Sequence, residues 1–152
     1  DLLPQGKHKL RYFEQQPSRF AVVPRRGAPQ TGIRWFEASP TYVLHWLNAW
    51  EEGDEIILDG YFQEEPQPKS HPDAPEGLER MMAYLSQGLM KPKLHRWRFN
   101  LKTGKTTEER LDDRVLEFGM INQKYAGRRY RYAYSAVPEP YWFLFTGLVK
   151  RD

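Results

Sequence analysis

The sequence is dominated by short runs of β-branched and aromatic residues, most of them bounded by glycine, proline or aspartate. Such runs are typical of β-strands, because these side chains pack well on a pleated surface and the bounding residues favour turns. Eight runs of this kind occur, at 19–24, 33–38, 41–50, 55–62, 93–101, 105–111, 128–136 and 141–149. The pattern predicts an all-β fold of antiparallel strands, with a hairpin turn at Thr103 and Gly104.

A proline-rich segment divides these runs into two groups of four. Residues 64–77 contain four prolines, and residues 76–89 carry apolar side chains at helical spacing. We therefore expect a loop and one short helix as an insertion over 63–90. Two four-stranded meanders, at about 19–62 and 93–149, indicate two consecutive blades of a β-propeller, so that 1–152 form one partial propeller. An eight-stranded β-sandwich is the competing architecture.

Composition narrows the chemistry and the partners. The 152 residues include no cysteine, so that a metal would be held by imidazole or oxygen ligands. The net charge is only +3 and the basic residues are interleaved with acids, which argues against a nucleic-acid partner. No apolar run approaches the roughly 20 residues of a membrane-spanning helix. The absence of cysteine leaves the compartment open and favours the cytoplasm. Because the chain begins at Asp1 and stops directly after an apolar run, we expect a piece of a longer protein.

One histidine lies in the middle of an apolar run. In "YVLHWLNAWEEGD" (42–54) the period of two places Val43, His45 and Leu47 on the same strand face. A histidine on such a face needs a hydrogen-bond partner once it leaves water. From the residues alone, a buried structural histidine is the commoner outcome and a metal ligand the rarer one.

The words around His45 resemble a known family. "HWLNAWEEGD" (45–54) is similar to the histidine-centred motif of the carotenoid cleavage oxygenases. Three more stretches resemble family segments in the same order: "PSRFAVVPRRG" (17–27), "ERLDDRVLEFGMINQKYAGRRYRYAY" (109–134) and "GLVKRD" (147–152). The chain is thereby identified as an internal fragment of a member of this family.

The resemblance implies a seven-bladed β-propeller with one ferrous iron, Fe(2+), held on its axis by four histidines, with three glutamates behind them. By motif, His45 matches the third iron histidine, and Glu117 in "EFGMIN" matches the glutamate that bonds the other ring nitrogen of that histidine. The other three ligands lie outside the fragment, since His8, His71 and His95 do not fall at ligand positions. Imidazoles suit iron and leave positions open for O2, and a carboxylate behind a ligating histidine fixes its tautomer.

The resemblance also implies a function for the full-length parent. It would be a non-haem iron dioxygenase that cleaves a conjugated C=C bond of a carotenoid or apocarotenoid to aldehydes, with O2 and a small apolar conjugated substrate as partners. The fragment alone would be inactive. A lignostilbene-type stilbene cleaver and a non-catalytic β-propeller scaffold are the alternatives. Peripheral membrane contact would come from parts of the parent outside this chain.

The chain departs from the family pattern at one position near the site. Many family members have proline where this sequence has Gly119, two residues after Glu117. Glycine gives the backbone more freedom there, and we expect a subfamily difference in how Glu117 is placed.

Overall fold

The structure is a computed structural model that describes residues 12–27, 32–66, 86–139 and 142–152. Within them the predicted all-β fold is confirmed, with strands β1 (Ser18–Val22), β2 (Arg34–Ala38), β3 (Trp46–Glu52), β4 (Glu55–Gln63), β5 (Pro92–Asn100), β6 (Thr106–Arg110), β7 (Glu117–Ile121), β8 (Ala133–Pro138) and β9 (Phe145–Arg151). Two 3-10 turns, Gln87–Met90 and Gln123–Tyr125, complete the described elements. No helix in these ranges has the length and apolar character needed to cross a bilayer.

The strands form three antiparallel sheets. β1 pairs with β2, β3 to β6 form a four-stranded sheet in chain order, and β7 to β9 form a three-stranded sheet. The hairpin predicted at Thr103 and Gly104 joins β5 to β6, and Gly104 adopts the positive φ of 72° that such a turn favours. The acidic end of the motif around His45 makes the tight turn between β3 and β4.

The grouping of the strands corrects the predicted one. We expected the first four runs to form one meander, but β4 pairs with β5 across the proline-rich segment, and β1 and β2 stand apart. The physical reason is the match of the two longest strands, which pair at nine successive positions from Glu55↔Asn100 to Gln63↔Pro92. Closing a long loop costs little more than closing a short one, so the insertion does not prevent this pairing.

The structure contains one strand that was not predicted, and it describes only the end of the predicted helix. Strand β7, Glu117–Ile121, was not predicted, because a bulge between Glu117 and Met120 interrupts its alternation. The helix predicted at 76–89 lies mostly outside the described residues, and its described end is the 3-10 turn Gln87–Met90. The number of blades in a complete protein stays a prediction.

The four-stranded sheet buries both of its faces. On one face Trp97 and Phe99 pack with Phe36 and Ala38 of β2. On the other, a second cluster joins this sheet to the three-stranded sheet, and its buried members are Leu47, Tyr61, Leu94, Leu116, Ile121 and Ala133. Full burial of one large apolar side chain stabilises a fold by about 1.5–3 kcal/mol, so these clusters hold the three sheets as stacked layers.

A buried ionic group connects the four-stranded sheet to the segment that leads into the three-stranded sheet. Asp59 on β4 is fully buried, and Arg96 on β5 donates to its two carboxylate oxygens from Nε at 2.8 Å and from Nη2 at 2.9 Å. The Tyr130 hydroxyl donates to Oδ2 of the same carboxylate at 2.5 Å. Burial and the neighbouring Asp59 charge raise the pKa of Tyr130, which keeps this donor protonated. The segment before β8 is thereby tied to the four-stranded sheet.

Candidate metal centre

His45 lies immediately before strand β3, not inside it as the alternation predicted. Its carbonyl oxygen accepts a hydrogen bond from the Tyr61 backbone N–H at 3.3 Å, which extends the pairing of β3 with β4 by one residue. Glycine at position 60 of β4 gives the first residue of β3 the space that it needs, because a Cβ on Gly60 would lie 2.6 Å from Cε3 of Trp46. Leu47 is buried as predicted, while the His45 side chain remains 36% exposed.

The structure brings His45 and Glu117 together, although 72 positions separate them in the sequence. The His45 Nδ1 lies 2.7 Å from Oε2 of Glu117, and the Phe118 backbone N–H donates to the same oxygen at 2.5 Å. Glu117 is fully buried as the first residue of β7. Burial raises the pKa of Glu117, and its hydrogen bonds with Phe118 and His45 oppose that rise.

This contact leaves one nitrogen of His45 available. Nδ1 faces the Glu117 carboxyl group, so Nε2 is the ring nitrogen left for another partner. Nε2 makes no hydrogen bond to any residue in the described ranges, and the side chain as a whole is partly exposed. A histidine with this partner and a free second nitrogen has the arrangement typical of a metal ligand, so the pair fits one position of a metal site.

One histidine is not a complete site. Within the described residues no group of three or more His, Cys, Asp or Glu side chains could hold a metal ion. His8 and His71 lie outside those residues. His95 does not join His45, because its Nε2 lies 3.2 Å from Glu108 and its ring packs 4.5 Å from that of Trp97. The sequence analysis likewise gave His95 no ligand position. The metal roles of His45 and Glu117 stay predictions.

Aromatic residues that the sequence analysis did not single out lie beside His45. The ring of Phe118 is 4.2 Å from the His45 ring, and Phe118 has a φ of 50°, which is uncommon for an aromatic residue. Phe145 lies 5.0 Å from Phe118, and Phe143 lies 5.9 Å from Phe145. We call these three residues the phenylalanine row. All three are partly exposed, so the row gives an apolar surface next to His45.

Asn48 was also missed, although it lies inside the motif around His45. Its Nδ2 donates to the carbonyl oxygens of Arg128 at 2.8 Å and Tyr125 at 3.3 Å, and its Oδ1 accepts from the Gly127 N–H at 3.0 Å. The signal available in the sequence was an amide side chain three residues after His45, inside the motif. The motif therefore docks on the segment that follows β7.

Comparisons with known proteins agree with the predicted resemblance. Residues 2–152 match the family described as retinal pigment epithelial membrane protein. A carotenoid 9,10(9',10')-cleavage dioxygenase from Crocus sativus is 31% identical over 139 residues, which are 90% of this chain and 24% of that protein. A carotenoid cleavage oxygenase from Mycobacterium tuberculosis is 35% identical over 122 residues, which are 78% of this chain and 22% of that protein. The chain thus spans about a quarter of the length of these relatives.

A solved structure shares the fold. The crystal structure of cobalt-substituted Synechocystis ACO superposes with a TM-score of 0.73 at 22% identity, covering 93% of this chain and 28% of that one. At this identity the likeness concerns the fold alone. The family match covers nearly the whole chain, and the motif around His45 lies on the matched fold beside Glu117. The chain belongs to the retinal pigment epithelial membrane protein family, that of the carotenoid cleavage oxygenases.

Proposed function

We propose that the full-length protein containing this chain is a dioxygenase that splits a conjugated C=C bond of a carotenoid or apocarotenoid with O2, giving two aldehyde products. The observation that carries the proposal is the His45–Glu117 hydrogen bond, which leaves Nε2 free for a metal. Relatives named as carotenoid cleavage dioxygenases support the reaction class, and none of the relatives described above is named for stilbene cleavage.

In this proposal His45 fills one position of a ferrous iron site through Nε2. The solved structure that shares this fold is described as cobalt-substituted, so the fold is one that can hold a metal. Bound iron would supply the activation of dioxygen. Glu117 holds the proton on Nδ1 of His45 and fixes the ring orientation, because its carboxylate is itself buried and bonded to the Phe118 N–H. The other ligands come from parts of the protein outside the described residues.

The substrate class is supported by the surface beside His45. The phenylalanine row is an aromatic surface that begins beside His45. Its side chains have no hydrogen-bond donors, which suits a conjugated apolar substrate. Such a surface excludes water and binds flat apolar groups by area and by ring contacts. We propose that it forms part of the wall along which the substrate double bond is placed.

We further propose that the sheets are parts of β-propeller blades. The four-stranded antiparallel meander from β3 to β6 has the form of one blade, and His45 stands at the entrance to its first strand. A ligand at that place would face the centre of a propeller, where blades converge.

The test compares iron content and turnover in the full-length protein. His45→Ala should lose iron and cleavage, and Glu117→Gln should weaken iron retention roughly 10- to 100-fold, as is usual when a partner of a ligating histidine is changed. Iron is measured by elemental analysis, and the aldehydes from a carotenoid, an apocarotenoid and a stilbene are measured by chromatography.

His95→Gln is the matched control, because it removes a histidine that bonds Glu108 and not Glu117. It should keep iron and turnover. A His45→Ala protein with wild-type iron and turnover would overturn the metal role of His45. A wild-type protein that holds no iron and cleaves none of the three substrates would end the dioxygenase proposal and favour a scaffold role.

A further inference from the structure

Gly119 is in contact with Tyr61, and the contact leaves no room for a side chain. A Cβ on Gly119 would lie 2.1 Å from the Tyr61 Oη and 2.7 Å from its Cε2, where real Cβ atoms essentially never come within 3.0 Å. Leu47 closes the remaining side, with its Cδ1 at 2.8 Å. Proline has the same Cβ, so it could not stand at this position either. Glycine is required here by space.

Tyr61 is held firmly in this position. Its side chain is fully buried in the core between the four-stranded and three-stranded sheets. Its hydroxyl and Oγ of Ser135 on β8 are 2.7 Å apart. Burial raises the pKa of Tyr61, so the hydroxyl stays protonated and able to donate. The ring therefore forms a fixed support that reaches from β4 to β8.

This support touches both halves of the candidate metal centre. The Tyr61 backbone N–H donates to the His45 carbonyl oxygen at 3.3 Å. The far end of the Tyr61 ring meets Gly119, two residues after Glu117. Strand β7 is fixed in turn by pairing with β8, where Glu117 stands opposite Ala136, next to Ser135.

We propose that Tyr61 is a positioning residue for the metal centre, and that its ring, seated against Gly119 and bonded to Ser135, sets the sheet spacing at which Glu117 orients His45. This inference rests on the proposed metal role of His45. A side chain at 119 would have to displace β7 or Tyr61, and a site displaced by roughly 1 Å no longer holds its groups in productive geometry.

The test uses the full-length protein loaded with Co2+, whose absorption bands report ligand geometry. Rates of cobalt release to a chelator and thermal unfolding are measured together. Gly119→Ala should change the absorption bands and release cobalt roughly 10- to 100-fold faster, as for a lost partner of a ligating histidine. Gly147→Ala is the matched control on β9, because a Cβ there meets only Val137 at an ordinary 3.5 Å. It should behave as the wild type.

Rescue separates positioning from a general loss of stability. In Gly119→Ala combined with Tyr61→Phe, the nearest clashing atom is gone and the ring, released from Ser135, can tilt. The double variant should release cobalt more slowly than Gly119→Ala, at about the rate of Tyr61→Phe alone, because it still lacks the bond to Ser135. If Gly119→Ala fails to fold, Tyr61→Phe and Ser135→Ala decide, since each removes the support without adding atoms and should speed cobalt release with little change in the unfolding temperature.

Two results would overturn the inference. One is wild-type absorption and release in a folded Gly119→Ala protein. The other is unchanged release in both Tyr61→Phe and Ser135→Ala. A His45→Ala protein measured alongside keeps the two proposals distinct. If it loses cobalt while the Tyr61, Ser135 and Gly119 variants keep it, only the positioning role fails. If it keeps cobalt, the proposed metal role of His45 fails.

Discussion

Individual side chains of the motif around His45 fasten it to the second half of the chain. His45 bonds Glu117, Asn48 bonds the backbone at 125–128, and the Trp50 ring lies 5.6 Å from that of Tyr130. Only the first of these contacts belongs to the candidate metal centre. The other residues of the motif therefore help to place His45, because they bind the segment that follows β7, the strand that carries Glu117.

Asn48→Ala should lower the free energy of unfolding by about 1–2 kcal/mol, since it removes a donor and an acceptor from backbone groups of Arg128 and Gly127. Chemical denaturation measures the loss, and faster hydrogen exchange at the Gly127 amide should locate it. Asn48→Asp keeps the acceptor for Gly127 but sets a carboxylate oxygen against the Arg128 carbonyl oxygen, so it should protect the Gly127 amide without restoring the stability. Unchanged hydrogen exchange at the Gly127 amide in Asn48→Ala would show that the Asn48 side chain does not hold the segment.

At the scale of the elements, the pairing of β4 with β5 is central. These strands supply Trp97 and Phe99 to one buried face and Tyr61 and Leu94 to the other. They also carry Asp59 and Arg96, so the ionic group with Tyr130 stands directly on the best-matched pair of strands. The position of Tyr61, and with it the proposed sheet spacing, depends on this pairing.

Asp59→Asn should destabilise the protein by about 3 kcal/mol, because it leaves the partly buried Arg96 guanidinium without its counter-charge. Glu55→Gln on the same strand pair is the control, since Glu55 and Arg98 are each about a third exposed and 3.4 Å apart. An exposed pair of this kind contributes about 1 kcal/mol or less. Denaturant midpoints measure both variants. Equal losses would mean that burial does not set the importance of the Asp59 group.

Across the whole molecule, three stacked sheets place one candidate ligand at the start of β3 and its carboxylate partner at the start of β7. The outer face of the three-stranded sheet carries exposed apolar side chains, with Met120 66% and Leu148 72% exposed. The described part of the chain therefore holds one candidate metal ligand with its carboxylate partner and an apolar surface, and no group of three or more potential metal ligands.

The 152-residue chain, purified alone and supplied with Fe2+, should hold iron no more firmly than one imidazole does and should not cleave a carotenoid. The reason is that a single histidine cannot complete an iron site. Iron is measured after desalting, with circular dichroism to verify the β-fold, and the full-length protein serves as the control. Stoichiometric iron on the short chain would contradict the prediction.

The sequence alone determined what depends on local pattern. Period-two runs gave the all-β class and most of the strands, and the pair of residues at Thr103 and Gly104 gave the hairpin. The motif words predicted that His45 and Glu117 would be partners, and the structure brings them within 2.7 Å. Each of these results follows from side-chain alternation, turn chemistry or a residue-by-residue resemblance.

Only the tertiary structure decided which strands share a sheet and how closely the sheets approach. β4 pairs with β5 across an insertion because strand pairing depends on matched length and register, which neighbouring residues do not encode. β7 escaped prediction because the bulge and the positive φ of Phe118 break its local period. Gly119 had only a conformational explanation in the sequence; its reason in the fold is the ring of Tyr61, a contact between residues 58 positions apart that only packing creates.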